Sequence, residues 1–374
     1  MFEEKWDILH VYKDYYPVVG GIENHIRVIA EAQAARGHRV TVLVTNQHGP
    51  TTTEDLGGVR IIKARRLATV ASAPLSPTLV SILRGMKPDI LHLHSPYPVA
   101  EMAYLLAGRA QASVLTYHSD VVRQKNILRF YRPIFWRVLH KVNVIIATSE
   151  NYVRTSPYLQ RVRNKCVVIP LGTDVDRIAN ADRRASQAIR ARYGEPLLLF
   201  VGKLRYYKGL QYLIAALPQL PDVKLLVVGT GPMEEEWRAL AAKWNVAERV
   251  IFAGEVPDED LPAYYHAADL FVLPACERSE AFGTVLLEAM AAGLPLVTTE
   301  LGTGTSWVNQ GGVTGLIVPP RDPSALANAI HRLLDDTALR REMGRKAFDR
   351  VRNDFTQDVM VERILALYHQ LLAD

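Results

Sequence analysis

The sequence predicts an α/β protein built from two doubly wound domains, each with a parallel sheet covered by helices. Short apolar strand patterns alternate with helical patterns through both halves of the chain, which is typical of such sheets. The length of 374 residues also exceeds the roughly 250 to 300 residues at which single cores stop growing. A polar stretch without strand patterns, 176–194, follows the last strand of the first half. We therefore expect domains at 1–171 and 172–356.

Each predicted strand is a short apolar run. The first half contains Asp7–Tyr12, Arg39–Thr45, Val59–Lys63, Ile90–His94, Ser113–Tyr117, Val144–Thr148 and Lys165–Ile169. The second half contains Leu197–Val201, Val223–Val228, Val250–Ala253, Leu270–Leu273, Leu296–Thr299 and Gly315–Val318. Ligands of doubly wound domains bind outside the carboxyl ends of the strands, so the loops that follow these runs are the candidate site segments.

The composition is that of a globular protein and excludes intrinsic disorder. Hydrophobic residues make up 49% of the chain and charged residues 22%, whereas disordered chains combine low hydrophobicity with high net charge. No apolar run approaches the roughly 18 residues of a membrane-spanning helix, and the acidic N-terminus leads into a predicted strand, unlike a signal peptide. We therefore expect a cytoplasmic protein. We interpret Cys166 and Cys276 as buried thiols.

The charge is unevenly distributed. Residues 1–171 carry 22 Lys and Arg against 12 Asp and Glu, a net charge of +10, whereas residues 172–374 carry 22 against 27, a net charge of −5. A basic half suits an anionic substrate, a nucleic acid or an acidic membrane surface. Within it, residues 121–141 hold six Lys or Arg, four aromatic residues and no acidic residue. This segment is either a membrane- or lipid-binding amphipathic helix or a solvated basic helix face with a core-facing aromatic side.

Two carboxylates surround a predicted helix start in the second half. Glu280 precedes Phe282-Gly283-Thr284, after which a helical pattern begins and Glu288 follows about one and a half turns inside. Free N–H groups at a helix N-terminus favour a phosphate, and carboxylates beside a phosphate must point to neutral groups. The pattern therefore indicates a ligand with both phosphate and hydroxyl groups, such as a sugar nucleotide.

Other loops after predicted strands carry further candidates. Lys203 and Lys208 follow the strand at 197–201, where two cations could hold a diphosphate. Gly20 and Gly21 precede a helix predicted from near Ile22, and form either a phosphate or sugar contact or a plain turn.

Histidines occupy strands of the first half. His118 ends a predicted strand and is either a ligand contact or a structural histidine. His10, His92 and His94 lie inside strand patterns without evident metal-ligand spacing, so we expect them in the core.

Three motifs resemble cofactor- or metal-binding sequences but do not predict such sites. The run 228–232 resembles a dinucleotide fingerprint but lacks its third glycine, so we expect no nicotinamide cofactor. The acidic pairs at 174–176 and 258–260 lie at the domain junction and at a predicted helix N-terminus. We expect no metal at either.

Taken in order, Gly20-Gly21, the Lys203 to Lys208 loop and Glu280-x7-Glu288 resemble a retaining GT-B glycosyltransferase of family GT4, over nearly the whole chain. The resemblance implies two facing Rossmann-like domains with an interdomain cleft. The acceptor would bind mainly to the N-terminal domain and the nucleotide-sugar donor mainly to the C-terminal domain. The last helix, about 357–374, would return to the N-terminal domain. The segment 300–306 is similar to that of bacterial members that build cell-surface polysaccharides.

The resemblance also implies a role for each site residue. Lys203 and Lys208 would hold the diphosphate, although family members usually carry Arg at the first position. Glu280 would bind hydroxyls of the donor sugar, and Glu288 the ribose hydroxyls. The remaining donor contacts would come from His118 to the sugar, Gly20 and Gly21 to the diphosphate, the backbone of Val256 to the base, and the backbone of Phe282, Gly283 and Thr284 to sugar and phosphate.

The implied reaction transfers a hexose from a UDP- or GDP-linked sugar to a hydroxyl of a glycan or lipid-linked acceptor, with retention of anomeric configuration. Neither a metal, another cofactor nor a nucleic acid is expected, and the inner face of the cytoplasmic membrane is a natural location. Alternatives are a nucleotide-sugar epimerase of the same fold, a non-catalytic sugar-nucleotide binder, and a nucleic-acid-binding module, which the pI of 9.1 permits.

Overall fold

A computed structural model of the chain describes residues 4–18, 20–70, 73–120 and 125–373. The chain forms two compact units. Unit 1 comprises Met1–Leu171 with Met360–Asp374, and unit 2 comprises Gly172–Val359.

Unit 1 is built on an eight-stranded sheet in the order β10-β9-β8-β7-β1-β2-β4-β3, with a separate antiparallel pair, β5-β6. The strands are β1 (Asp7–Val11), β2 (Arg39–Thr45), β3 (Thr52–Leu56), β4 (Val59–Ala64), β5 (Ala68–Val70), β6 (Ala73–Leu75), β7 (Ile90–Ser95), β8 (Ala112–Tyr117), β9 (Val144–Ala147) and β10 (Cys166–Val168). The helices are α1 (Gly21–Ala35), α2 (Pro77–Arg84), α3 (Pro98–Ala107), α4 (Lys125–Lys141) and α5 (Glu150–Thr155). Among the described residues, the β3–β4 pairing is the only antiparallel one in the large sheet.

Unit 2 contains a six-stranded sheet, all parallel, in the order β13-β12-β11-β14-β15-β16. The strands are β11 (Leu197–Val201), β12 (Lys224–Val228), β13 (Val250–Gly254), β14 (Leu270–Leu273), β15 (Leu296–Thr299) and β16 (Gly315–Val318). The helices are α6 (Val175–Ala179), α7 (Arg183–Tyr193), α8 (Leu210–Ala216), α9 (Glu234–Lys243), α10 (Leu261–Ala267), α11 (Thr284–Ala291), α12 (Thr305–Val308), α13 (Pro323–Asp335) and α14 (Thr337–Asp354).

Both large sheets confirm the predicted fold class. Each of the predicted strands is present, with its ends within one residue of the predicted ones. The strands inside the sheets, including β1, β7, β8, β11, β14 and β15, are buried almost throughout, as parallel strands covered by helices require. Strands β3, β5 and β6 were not predicted. Every residue of β3 is exposed, so no alternating burial pattern marks it in the sequence.

The last helix, α15 (Gln357–Ala373), packs with unit 1 from Met360 onward. The Tyr368 hydroxyl lies 2.5 Å from His92 Nδ1, and Arg36 Nη2 pairs with Glu362 Oε1 at 2.7 Å. The C-terminal residues therefore contribute to the core of unit 1.

The basic segment 121–141 forms helix α4 from Lys125 onward, and residues 121–124 lie outside the described residues. Among its described side chains, Tyr131 and Phe135 are buried, whereas Arg132 and Arg137 are exposed. The described part of the segment thus has a core-facing aromatic side and a solvated basic side. Across the described residues, no helix is both long and apolar enough to span a bilayer.

Candidate functional site

The strand order of unit 2 reverses between β11 and β14. These two strands pair with each other, and the sheet continues from β11 to β12 on one side and from β14 to β15 on the other. Loops at the carboxyl ends of two such strands diverge and leave a crevice for ligand. Lys203 and Lys208 follow β11, and Glu280 follows β14, so the topology brings the predicted residues to one edge of the sheet.

A close backbone approach joins the two loops. Gly209 has a φ of +71°, and a Cβ there would lie 2.0 Å from the carbonyl oxygen of Pro274. The Cys276 N–H donates to the Tyr207 carbonyl at 2.9 Å. Only glycine fits this contact, because a side chain would clash and would disfavour the left-handed conformation. The turn that carries Lys208 is therefore fixed against the loop that leads to Glu280.

Lys208 and Glu280 form a buried ion pair. Lys208 Nζ lies 2.6 Å from Glu280 Oε2, and the two side chains are only 10% and 8% exposed. Burying one charge without the other would cost several kcal/mol. The sequence predicts both residues in the site, and the structure brings them into direct contact.

The loop after Glu280 is fixed by the segment 300–306. Thr303 Oγ1 donates to the Glu280 carbonyl at 2.9 Å, and the Gly304 N–H donates to the Ala281 carbonyl at 2.7 Å. Gly283, with a φ of +78°, is the N-cap of α11, and no side chain caps that end. Phe282 is buried and Thr284 is half-buried. As predicted, the helix begins at Thr284 and presents its first N–H groups beside Glu280.

Glu288 lies just over one turn after Thr284, the first residue of α11, and contacts two residues from elsewhere in unit 2. The Tyr265 hydroxyl donates to Glu288 Oε2 at 2.6 Å, and Arg177 Nη2 lies 3.9 Å from Oε1. Burial raises the pKa of Glu288, and the Tyr265 hydrogen bond and the Arg177 charge oppose that rise. Its side chain keeps 20% exposure, so Glu288 is not completely enclosed.

Arg177 also contacts the loop that contains Val256. Its Nη1 donates to the Asp258 carbonyl at 2.6 Å. Val256 itself is half-buried in that loop, after β13. Arg177 therefore contacts both Glu288 and the loop at 255–258. Lys203 lies at the surface of its loop, where its carbonyl accepts from the Arg205 N–H at 2.8 Å.

In unit 1 the strand order reverses between β1 and β7, and Gly20 and Gly21 follow β1. Gly20 caps α1 without a side-chain hydrogen bond, and a Cβ there would lie 2.2 Å from Glu23 Oε2. A Cβ at Gly21 would meet nothing within 4 Å. The atom at Gly20 is the end of the Glu23 side chain, which can move, and Gly20 has an extended backbone with a φ of −168°. The fold therefore requires glycine at neither position.

His118 directly follows β8 and is buried, 6% exposed. Its Nε2 lies 3.1 Å from Nδ1 of His94. Burial lowers its pKa well below the usual value, so the imidazole is neutral. His10, His92 and His94 are buried as predicted.

Comparisons with known proteins decide the family. The family model "Glycosyltransferase Family 4" matches residues 19–177, and "Glycosyl transferases group 1" matches residues 182–350. The O-antigen chain mannosyltransferase C of Escherichia coli is 36% identical over 98% of this chain and 98% of its own length. The chain belongs to glycosyltransferase family 4.

Other known proteins agree with this assignment. The D-rhamnosyltransferase WbpZ of Pseudomonas aeruginosa is 38% identical to this glycosyltransferase, over 93% of this chain and 92% of its own. Among solved structures, the sucrose-phosphate synthase of Thermosynechococcus elongatus matches with a TM-score of 0.81 and 26% identity, over 98% of this chain and 99% of its own. The predicted GT-B fold and glycosyl transfer are thereby confirmed, and the epimerase and nucleic-acid alternatives lose their support.

Two residues that contact the predicted site of this glycosyltransferase were not predicted from the sequence. Arg177 lies in the stretch interpreted only as a domain junction, and Tyr265 lies inside an apolar helical pattern. Asp174, the N-cap of α6, accepts a hydrogen bond from the Arg177 N–H at 3.0 Å. That cap places Arg177 in the first turn of α6. An aspartate at the N-cap position is therefore the feature of the sequence that could have predicted a fixed position for Arg177.

Proposed function

We propose that the protein transfers a manno-configured hexose from a UDP- or GDP-linked donor to a hydroxyl of a glycan or lipid-linked acceptor, with retention, in cell-surface polysaccharide synthesis. The names of the two relatives support the sugar class, since rhamnose is 6-deoxymannose and one relative is a mannosyltransferase. The site observation that carries the proposal is the buried Lys208–Glu280 pair beside the uncapped N-terminus of α11.

This arrangement offers both kinds of contact that a sugar nucleotide needs. Lys203, Lys208 and the helix N-terminus would hold the diphosphate and stabilise its charge as it leaves. Glu280 would accept hydrogen bonds from the sugar hydroxyls, and Glu288 from the ribose. Phe282, Gly283 and Thr284 would contribute backbone groups, and Val256 would lie along the base. Gly20, Gly21 and His118 would supply further donor contacts from unit 1.

The proposed transfer reaction needs no acid or base from the protein. The bond between the anomeric carbon and the diphosphate oxygen breaks, and the acceptor oxygen forms the new bond on the same face of the sugar. The departing diphosphate takes the acceptor proton. The protein supplies orientation and electrostatic stabilisation of the separating charges.

A donor panel tests the proposal. The panel contains GDP-mannose, UDP-glucose and UDP-N-acetylglucosamine, and thermal unfolding measures binding. The manno-configured donor should raise the unfolding temperature most, because ligands that bind only the folded state raise its stability by mass action. NMR of the product formed from the preferred donor and a glycolipid acceptor should show the donor's anomeric configuration. An inverted product would refute retention, and stabilisation only by gluco-configured donors would refute the sugar class.

Replacing Gly21 by Ala should lower transfer by about tenfold, equivalent to about 1.4 kcal/mol, without destabilising the protein. An added Cβ meets no protein atom, and Ala in a helix is more stable than Gly by roughly 0.5 to 1 kcal/mol. Steady-state kinetics and thermal unfolding measure the two effects. Gly85→Ala, at the exposed end of α2, is the control. Full activity in Gly21→Ala would favour the plain turn.

Replacing Arg177 by Ala should raise the donor KM by about tenfold and change kcat less, because hydrogen bonds to charged groups contribute roughly 1.5 to 3 kcal/mol. The guanidinium contacts Glu288 and the Asp258 carbonyl, which we place at the ribose and the base. Arg184→Ala, exposed on α7, is the matched control. A fall in kcat at unchanged KM would contradict this positioning role.

We propose that the exposed basic side of α4 contacts the inner face of the cytoplasmic membrane. Arg132 and Arg137 are solvated there, and each basic residue near an anionic surface contributes about 1 kcal/mol. Replacing both by Ala should weaken binding to phosphatidylglycerol vesicles roughly 30-fold at low salt. Arg183→Ala with Arg184→Ala in unit 2 is the control. Equal binding by all three proteins would show that α4 is only a solvated surface.

A further inference from the structure

Unit 1 contains a column of buried histidines at the carboxyl-end edge of its sheet. His10 lies on β1, His92 and His94 lie on β7, His118 follows β8, and His25 lies on α1. Side-chain ligand atoms of His25, His94 and His118 lie within 4.8 Å of one another, as do those of His10, His92 and His94. Two three-histidine groups therefore share His94.

The second group is explained by hydrogen bonds within the core. His92 bonds the Tyr368 hydroxyl at 2.5 Å and the Thr116 hydroxyl at 2.6 Å. His10 bonds Gln33 Oε1 at 2.8 Å and His94 Nε2 at 3.1 Å. Both ring nitrogens of each residue are occupied, so these two histidines behave as the satisfied core residues that the sequence predicts.

His25 differs from them. Its side chain is buried, 8% exposed, and its Nε2 has no hydrogen-bond partner among the described residues. An unsatisfied buried polar nitrogen costs roughly 1 to 3 kcal/mol. The His25 ring lies 5.1 Å from that of His118 and 5.8 Å from that of His94. An unpartnered imidazole nitrogen thus lies beside two other imidazoles.

We propose that His25, His94 and His118 bind a divalent transition-metal ion, with Zn²⁺ as the representative ion. Three neutral imidazoles are a ligand set that suits Zn²⁺, Ni²⁺, Co²⁺ or Cu²⁺. Water would complete a tetrahedral site. His25 and His118 keep 8% and 6% exposure, which leaves both side chains a small solvent-accessible surface.

The distances agree with such a site. His94 Nδ1 and His118 Nε2 are 3.1 Å apart, whereas two nitrogens bound tetrahedrally to one Zn²⁺ at about 2.0 to 2.1 Å lie about 3.3 Å apart. For this pair of ligands, coordination needs a shift of only a few tenths of an ångström, and the His25 ligand atom lies within 4.8 Å of both. Burial also holds all three imidazoles neutral by lowering their pKa values, for His25 to about 3, and the neutral ring is the ligand form.

The positions of the protons on the histidine rings leave ring nitrogens available to bind a metal. Gln33 Oε1 can only accept, so His10 Nε2 carries its proton and His10 Nδ1 accepts from His94 Nε2. His94 Nδ1 is then unprotonated and ready to bind a metal. His118 Nε2 donates to it in the metal-free protein. Metal binding requires only that the His118 proton move to Nδ1, so no net proton is lost.

The test uses untagged full-length protein, freed of metal with a chelator and dialysed against Zn²⁺. One Zn²⁺ per chain is expected, with a rise in the unfolding temperature by mass action. His25→Gln should weaken binding by at least tenfold, because losing even an outer-sphere partner of a metal ligand typically costs 10- to 100-fold. His331→Gln, exposed on α13, should bind as the wild type does.

A second measurement does not depend on any variant. Co²⁺ added to the metal-free wild type should give the intense visible absorption of tetrahedral coordination, and Zn²⁺ should abolish it in a 1:1 titration. The proposal is overturned if the wild type binds neither ion in stoichiometric amount, if Co²⁺ remains octahedral, or if folded His25→Gln binds Zn²⁺ with unchanged affinity. Donor binding by the metal-free protein tests the proposed function separately.

Discussion

Lys208→Ala should lower kcat/KM for glycosyl transfer by about 10²- to 10³-fold, the usual effect of removing one preorganised electrostatic group from an active site. The ammonium is held at a defined position by its ion pair with Glu280 and by the Gly209–Pro274 contact. Without it, the diphosphate would leave with less compensation of its charge. Steady-state transfer with the preferred donor measures the effect, and Lys243→Ala, at the exposed end of α9, should retain wild-type activity.

Lys208→Ala would also reduce activity if Lys208 had only a structural role, so the test needs a second variant. Lys208→Ala leaves Glu280 as a buried unpaired carboxylate, which typically costs 3 to 5 kcal/mol of stability. The double variant Lys208→Met with Glu280→Gln removes both charges and should recover most of that stability. If it also recovers transfer, the pair serves only the fold. If the double variant is stable and inactive, the charges serve catalysis.

The sheets could be predicted from the sequence because parallel strands buried on both faces need continuous apolar runs. Leu197–Val201 and Leu270–Leu273 illustrate this, since every residue of both strands is buried. The edge strand β3 could not be predicted. Its residues, Thr52–Leu56, are all exposed, so its pairing with β4 leaves no apolar pattern.

The candidate site was predictable where it depends on topology. Lys208 and Glu280 follow neighbouring parallel strands, and the carboxyl ends of such strands lie at one edge of a sheet. Their direct ion pair was not predictable, because it depends on the approach of Gly209 to Pro274, 65 residues later in the chain. The contacts of Arg177 with Glu288 and of His25 with His118 likewise join segments far apart in sequence.

Glu101→Gln should make unit 1 more stable at pH 8 and leave its stability at pH 4.5 unchanged. Glu101 is 1% exposed. Its Oε1 accepts from Ser95 Oγ at 2.8 Å and from the Tyr97 N–H at 3.2 Å, and its Oε2 has no hydrogen-bond partner among the described residues. Burial raises the pKa of this carboxyl from 4.5 to about 7, although both hydrogen bonds oppose the rise.

The sign follows from the proton that each state binds. Below pH 4.5 the carboxyl is protonated in the folded and the unfolded chain, so its ionisation has no effect on stability. Between pH 4.5 and about 7 only the unfolded chain releases the proton, and stability falls as pH rises. Above pH 7 the loss is complete at about 3 kcal/mol, since one pKa unit corresponds to about 1.4 kcal/mol.

Gln cannot ionise and can keep both accepted hydrogen bonds through its amide oxygen, so the variant should not show this loss. Urea unfolding at pH 4.5 and pH 8, followed by hydrogen exchange in peptides of α3, measures unit 1 separately from unit 2. Glu150→Gln, exposed at the start of α5, is the matched control. Equal stability of Glu101→Gln and the wild type at pH 8 would mean that Glu101 ionises at its ordinary pKa. The buried Oε2 would then need a hydrogen-bond donor that compensates its charge.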